Sequence, residues 1–185
     1  WLAAAAFMYP TQTPVWSTCP EMRLMVNLAF ANGARGWFSY SYHNDPVWLR
    51  GKMQRSLTGP FLTFSDLWSE LMQRMRWVGA LSPLLLASRI EDNMEGWFTR
   101  GVFTNSTLCP APGVPPISQF HLRGKDFSLY FTVSNHTRES GSIEVDIPKD
   151  AVPGMHIHDL SEFVKDRKWR PLERKGHIEM FPGQA

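Results

Sequence analysis

Two runs of strand-forming residues flank a helical segment near the start of the chain, and this pattern constrains the fold most strongly. Residues 2–7 are a short continuous apolar run, typical of a parallel strand covered on both faces. A helix is predicted to begin at Thr18, because Thr18 and Glu21 have the spacing of a capping box, and Gly33 is placed to end it. Residues 36–43 follow as an aromatic strand. This order predicts a βαβ unit with parallel strands and a right-handed crossover.

A second helix is predicted over residues 65–81, where apolar side chains recur on one face at helical spacing. The dipeptide Ser82-Pro83 is expected to end it. Two parallel strands and two helices cannot close a sheet or bury all of these apolar faces. Residues 1–87 are therefore predicted to form the C-terminal portion of a larger α/β domain. The missing initiator methionine agrees with a piece of a longer protein, and the first residues lack the basic flank of a signal peptide.

Residues 88–185 have a different texture, in which short runs of alternating apolar residues are separated by Gly, Pro, Asn and Asp. One run places Phe127, Leu129, Phe131 and Val133 on the same side of a strand. Further strand candidates are residues 143–147, 155–160, 169–172 and 177–181. The pattern predicts a small antiparallel β-sandwich or barrel-like module whose last strand is expected to be missing.

Composition and charge exclude several classes of protein. Lys and Arg total 19 and Asp and Glu total 17, so the formal net charge is +2, which argues against binding to nucleic acids or other polyanions. No apolar run approaches the roughly 18–20 residues of a membrane span. Cys19 and Cys109 are interpreted as free thiols, with a disulfide between them left open. His156 and His158 would share one face of a strand, but solvent-facing side chains explain them better than a metal site, and neither metal nor cofactor is expected.

A ligand site is expected at the carboxyl ends of the two parallel strands, because the loops that follow these ends build the sites of α/β folds. Aromatic rings there would stack on the apolar face of a pyranose, while hydroxyl, amide and carboxylate groups would bond its hydroxyls. The candidate substrate-binding residues are Tyr9, Trp16, Tyr40, Tyr42, His43, Asp45 and Trp48. Ordinary packing is the alternative for any one of these rings, since half of the residues in an alternating strand must face the helices.

Residues 20–40 resemble a pattern in (β/α)8-barrel glycoside hydrolases, the β-galactosidase-like and related families; they read PEMRLMVNLAFANGARGWFSY. In these families a helix with Pro, Glu and Arg and a turn of the form Ala-x-Gly-Ala-(Arg/Lys)-Gly lead into the eighth strand. Residues 65–84 resemble the helix that follows, and residues 117–182 resemble the small β-sandwich that often trails such barrels. The resemblance implies the last βαβα portion of a (β/α)8 (TIM) barrel over residues 1–87, followed by a β-sandwich domain over residues 88–185.

The resemblance also implies where catalysis should take place. Retaining enzymes of this type use two carboxylates about 5–5.5 Å apart, generally glutamates at the ends of the fourth and seventh strands. Residues 2–7 would be the seventh strand, yet Met-Tyr-Pro follows it instead of an acid. Glu21 is explained by the capping box, and Asp45 alone cannot act as both acid and nucleophile. Either the strand register is misread, or the family places its carboxylates elsewhere, or the parent barrel lacks the usual nucleophile, so no catalytic residue is assigned.

The sequence thus predicts a fragment of a carbohydrate-active protein, a glycoside hydrolase that acts on an oligosaccharide or polysaccharide. The fragment would supply sugar-binding residues but not the catalytic pair, so it is expected to be inactive alone. One alternative is a non-catalytic carbohydrate-binding or structural protein whose barrel has lost its carboxylates. Another is that residues 88–185 are an independent interaction module. An extracellular or periplasmic localisation is favoured, because polysaccharides are usually degraded outside the cytoplasm.

Overall fold

The structure is a computed structural model of the chain, and it describes residues 2–5, 18–40, 66–91, 103–106, 113, 115–138, 140–146, 166–168 and 175–184. Within these residues, two helices accompany one parallel strand pair and two small antiparallel sheets. The elements are β1 (Leu2–Ala5), α1 (Cys19–Ala31), β2 (Trp37–Tyr40), α2 (Asp66–Ala87), β3 (Arg89–Ile90), β4 (Phe103–Ser106), β5 (Ile117–Arg123), β6 (Ser128–Ser134), β7 (Gly141–Asp146) and β8 (Lys175–Met180).

The parallel strand pair of the predicted βαβ unit is confirmed, and the hand of its crossover stays a prediction. β1 and β2 pair in parallel, with Leu2 opposite Trp37 and Ala5 opposite Tyr40, and α1 connects them. The first residues of α1 follow the predicted capping box, because Thr18 accepts a hydrogen bond from the backbone N–H of Glu21 and the Glu21 carboxylate accepts one from the backbone N–H of Thr18. Such a cap is worth about 1 kcal/mol, so local sequence alone fixes where α1 begins.

α2 runs through Pro83 to Ala87, so the prediction that Ser82-Pro83 ends the helix is wrong. A proline has no N–H, and its presence takes away the helical donor of the Gly79 carbonyl. The Ser82 hydroxyl donates to Gly79 O at 3.0 Å and replaces that donor. Beyond the proline Leu85 is buried. Burial of a leucine contributes about 1.5–3 kcal/mol, which offsets most of a proline cost of about 3 kcal/mol.

Both antiparallel sheets come from residues 88–185, because their first strand, β3, begins at Arg89. One sheet has the strand order β3-β5-β6, and the other has the order β4-β7-β8. Leu129, Phe131 and Val133 on β6 are all buried, which confirms the predicted alternation. β8 confirms the strand predicted over residues 177–181, whereas the candidates at 155–160 and 169–172 lie outside the described residues.

One hydrophobic core cluster joins the helices to the β3-β5-β6 sheet. Met22 and Leu81 from the two helices belong to it together with Leu122 from β5. The Trp77 ring on α2 meets the Phe131 ring on β6 edge to face, with 6.0 Å between the ring centroids. The apolar face of this sheet therefore packs on α1 and α2. No helix among the described residues has the length and apolar content to cross a membrane. The barrel-plus-sandwich division at residues 87 and 88 stays a prediction.

Candidate functional site

The carboxyl ends of β1 and β2 are the place where the sequence predicts a sugar site. Since Ala5 and Tyr40 are register partners, the described strands end at the same level and the chain leaves both at one edge. Tyr40 is described in its backbone only, as the last residue of β2. The other six candidates lie outside the described residues: Tyr9, Trp16, Tyr42, His43, Asp45 and Trp48. The two strand ends are brought together; the side chains of the site are not described.

The residues that carry the family resemblance have structural contacts in this chain. Gly33 adopts a φ of 76°, in the left-handed region that glycine tolerates best. Arg35 donates hydrogen bonds to the carbonyls of Leu85 and Ser88, at the end of α2 and just after it. A cation at a helix C-terminus also interacts favourably with the helix dipole. The turn before β2 therefore ties the second strand to the second helix.

A charged cluster joins α1 to α2 in the described structure. The Arg23 guanidinium donates to both carboxylate oxygens of Glu70, at 2.8 Å and 2.6 Å. Arg74 Nε lies 3.3 Å from Glu70 Oε1, and the Glu70 side chain is only 7% exposed. Hydrogen bonding to Glu70 raises the pKa of Arg23, whereas burial lowers the pKa of Arg74. Both guanidinium groups neutralise the buried carboxylate, so this cluster joins the helices rather than exchanging protons.

The sequence prediction missed this cluster, although one signal was present. Glu70 stands three residues after Leu67 and directly before Leu71, on the apolar face of α2. A carboxylate on a buried face needs a cationic partner, and Arg74 at the next turn is one. Arg23 could not be identified as the second partner, because it precedes Glu70 by 47 positions.

Cys19 lies at the start of α1, close to the same cluster. Its thiol is free, which confirms the interpretation for this cysteine, while Cys109 lies outside the described residues. Burial raises the pKa of the Cys19 thiol, and the nearby Asp66 and Glu70 carboxylates raise it further. The thiol is therefore neutral at pH 7 and a poor nucleophile. The arrangement gives no support to cysteine chemistry at this place.

A second polar cluster lies on the face of the β5–β6 hairpin that points away from the helices. His121 and Tyr130 are register partners, and their rings stack with centroids 4.5 Å apart and planes at 12°. Burial lowers the pKa of His121; Arg123 lowers it further, and Glu91 opposes both. The Nε2 atom of His121 is buried and has no hydrogen-bond partner. The imidazole is therefore neutral at pH 7 and keeps one unused hydrogen-bonding atom.

Metal binding finds no support in the part of the chain that the structure describes. Among the described residues, no group of three or more His, Cys, Asp or Glu side chains is arranged to hold a metal ion. The pair His156 and His158 lies outside the described residues.

Comparison with protein-family models, with curated proteins and with solved structures found no match. The function of this chain therefore has to be inferred from its own residues and their contacts. Two features bear on it: the shared edge where β1 and β2 end, and the half-buried rings of His121 and Tyr130.

Proposed function

We propose that the chain is part of a glycoside hydrolase, with residues 1–87 as the last βαβα portion of a (β/α)8 barrel and residues 88–185 as a trailing β-sandwich. The observation that carries this proposal is the parallel, in-register pairing of β1 and β2 around α1. The packing of α2 beside α1 supports it as well, because neighbouring βα units of such a barrel have their helices side by side in the outer ring. A sugar would bind where the two strands end.

The chemistry of the edge favours binding over bond cleavage. Aromatic, imidazole and carboxylate side chains can stack on a sugar ring and bond its hydroxyls. The proposed binding residues are Tyr9, Trp16, Tyr40, Tyr42, His43, Asp45 and Trp48. Hydrolysis needs a second carboxylate beside Asp45. Glu21 is not available for this role, because its carboxylate already accepts a hydrogen bond from the backbone N–H of Thr18 at 2.7 Å. The catalytic pair would come from elsewhere in the parent protein.

A non-catalytic carbohydrate-binding or structural protein is the second candidate. The observation that favours it is the Met-Tyr-Pro sequence directly after the strand segment 2–7, where the resemblance leads one to expect a nucleophilic glutamate. The sequence of the parent protein distinguishes the two candidates. An Asn-Glu pair at the end of a predicted fourth strand supports the enzyme, and its absence supports the binding protein.

Oligosaccharide binding by the purified chain tests the site. We expect Trp48→Ala and His43→Ala each to weaken binding of a soluble oligosaccharide, measured by isothermal titration calorimetry. Loss of a stacking ring should cost about tenfold in affinity. Leu86→Ala is the control, because Leu86 is exposed and lies at the end of α2, which Arg35 bonds near the amino end of β2, opposite the edge.

Three results would contradict parts of the proposal. Glycosidase activity of the isolated chain on aryl glycosides would show that the catalytic pair lies within it. Binding that is unchanged in both edge variants, but weakened by Tyr130→Ala, would assign sugar recognition to residues 88–185. No binding of any oligosaccharide tested would remove the sugar site itself.

A further inference from the structure

A four-residue turn, Phe181-Pro182-Gly183-Gln184, follows β8 and lies against α1; we refer to it as the Pro-Gly turn. Arg23 Nη1 donates to Pro182 O at 2.9 Å, and Asn27 Nδ2 donates to Gly183 O at 2.7 Å. Arg23 and Asn27 are four residues apart, so their side chains lie one above the other on the same face of α1. Two consecutive carbonyls of the turn are therefore bound by one face of the helix.

Gly183 allows an approach that no other residue could make. An added Cβ at this position would lie 2.4 Å from Pro20 O and 2.9 Å from Leu24 N, both backbone atoms of α1. Gly183 also has a φ of 68°, in the left-handed region. The turn and the helix are thus in backbone contact, and glycine is required there for two separate reasons.

The opposite side of the same turn is bonded to the end of β6. Ser134 N donates to Gln184 O at 2.7 Å, and Gly183 N donates to His136 O at 2.8 Å. Within the turn, Gln184 N donates to Phe181 O at 3.0 Å, and Gln184 Oε1 accepts from Phe181 N at 2.9 Å. The turn follows β8 without a gap in the chain. Four residues therefore contact α1, the β3-β5-β6 sheet and the β4-β7-β8 sheet together.

We propose that the Pro-Gly turn couples α1 to both antiparallel sheets, so that these three parts open and close as one cooperative unit. Each bond named above is made to backbone on at least one side, and Asn27 is 1% exposed. Opening the turn would leave buried donors and acceptors unpaired on the helix and on β6 at once. A penalty of this kind, shared by two elements, makes their opening interdependent.

Hydrogen exchange of the full chain, followed by mass spectrometry, tests the coupling in Gly183→Ala. We expect backbone amides of α1 and of β6 to exchange about tenfold or more faster than in the parent chain, since several buried hydrogen bonds are disturbed. Gly113→Ala is the matched control. Gly113 has a φ of 80°, but no atom lies within 4 Å of an added Cβ, so this variant carries the left-handed strain without the contact. It should leave both elements unchanged.

Asn27→Ala keeps the proposal testable if Gly183→Ala does not fold. It removes one bond to the turn and replaces asparagine by a better helix former, so any faster exchange in α1 opposes the intrinsic propensity. We expect about tenfold faster exchange in α1 and β6. Asn32→Ala is its control, because the Asn32 side chain, directly after α1, donates to Leu28 O of the helix and not to the turn. Faster exchange confined to residues 175–184, or no change in either element, would overturn the coupling.

Discussion

Two groups of charged side chains in the described structure are similar in chemistry but have very different surroundings: the cluster between α1 and α2, and the Glu91–Arg123 pair beside His121. Between α1 and α2, Glu70 is 7% exposed and receives two hydrogen bonds from Arg23. At the edge of the β3-β5-β6 sheet, Glu91 lies 3.8 Å from Arg123, whose side chain is 62% exposed. Water screens the second pair and hardly reaches the first. The charges therefore hold the helix junction together, whereas the outer face of the sheet tolerates changes in its charges.

Removal of one carboxylate from each cluster should give the largest difference between them. We expect Glu70→Ala to lower the free energy of unfolding by about 3–5 kcal/mol, because Arg23 and Arg74 would remain charged and partly buried without a counterion. Glu91→Ala should lower it by at most about 1 kcal/mol. Urea denaturation of the full chain measures both values. Equal losses in the two variants would show that burial does not distinguish the clusters.

The separation along the chain between interacting residues explains how much of the structure the sequence could predict. The start of α1 and the alternation on β6 were predictable because each depends on residues a few positions apart, as with Thr18 and Glu21. The Arg23–Glu70 pair and the bonds from α1 to Gly183 join residues 47 and 156 positions apart. No local pattern encodes such distances. For this reason the helix was predictable and its partners were not.

The continuation of α2 past Pro83 failed as a prediction for a related reason. The rule that proline ends a helix considers only the hydrogen bond that the proline itself removes. Here the Ser82 hydroxyl replaces that bond, and burial of Leu85 in the tertiary structure offsets the remaining free-energy cost of the proline. The proposed sugar site was predicted from the order of the elements rather than from local sequence. Its position follows from the order of strands and helix, so the edge could be predicted, while the arrangement of Tyr42, His43 and their neighbours lies outside the described residues.

The pH dependence of stability should next distinguish the outer face of the sheet, where His121 lies near Glu91 and Arg123, from the helix junction. Burial holds the pKa of His121 below its ordinary value of 6.5, and Glu91 and Arg123 act on it in opposite directions. The unfolded chain therefore binds a proton at His121 more readily than the folded chain as the pH falls below about 6.5. Stability from this group is fully present above that pH and decreases as the pH falls towards the folded-state pKa.

Urea denaturation at pH 8, 6.5 and 5.5 tests this dependence, with His121→Gln as the variant. We expect the parent chain to lose stability over the acidic half of this range and the variant to lose less. A parent chain and a His121→Gln variant with parallel pH profiles would show that His121 is not protonated preferentially in the unfolded chain.

The smallest expected effect concerns the coupling between Glu91 and Arg123. A double-mutant cycle with Glu91→Ala and Arg123→Ala isolates their interaction from the other contacts of each residue. We expect a coupling of about 0.2–1 kcal/mol at low salt, the range of exposed pairs. In 1 M NaCl, where the screening length is about 3 Å, the coupling should approach zero. A coupling that persists in high salt would mean that water is excluded from this pair, and the outer face of the sheet would then resemble the helix junction.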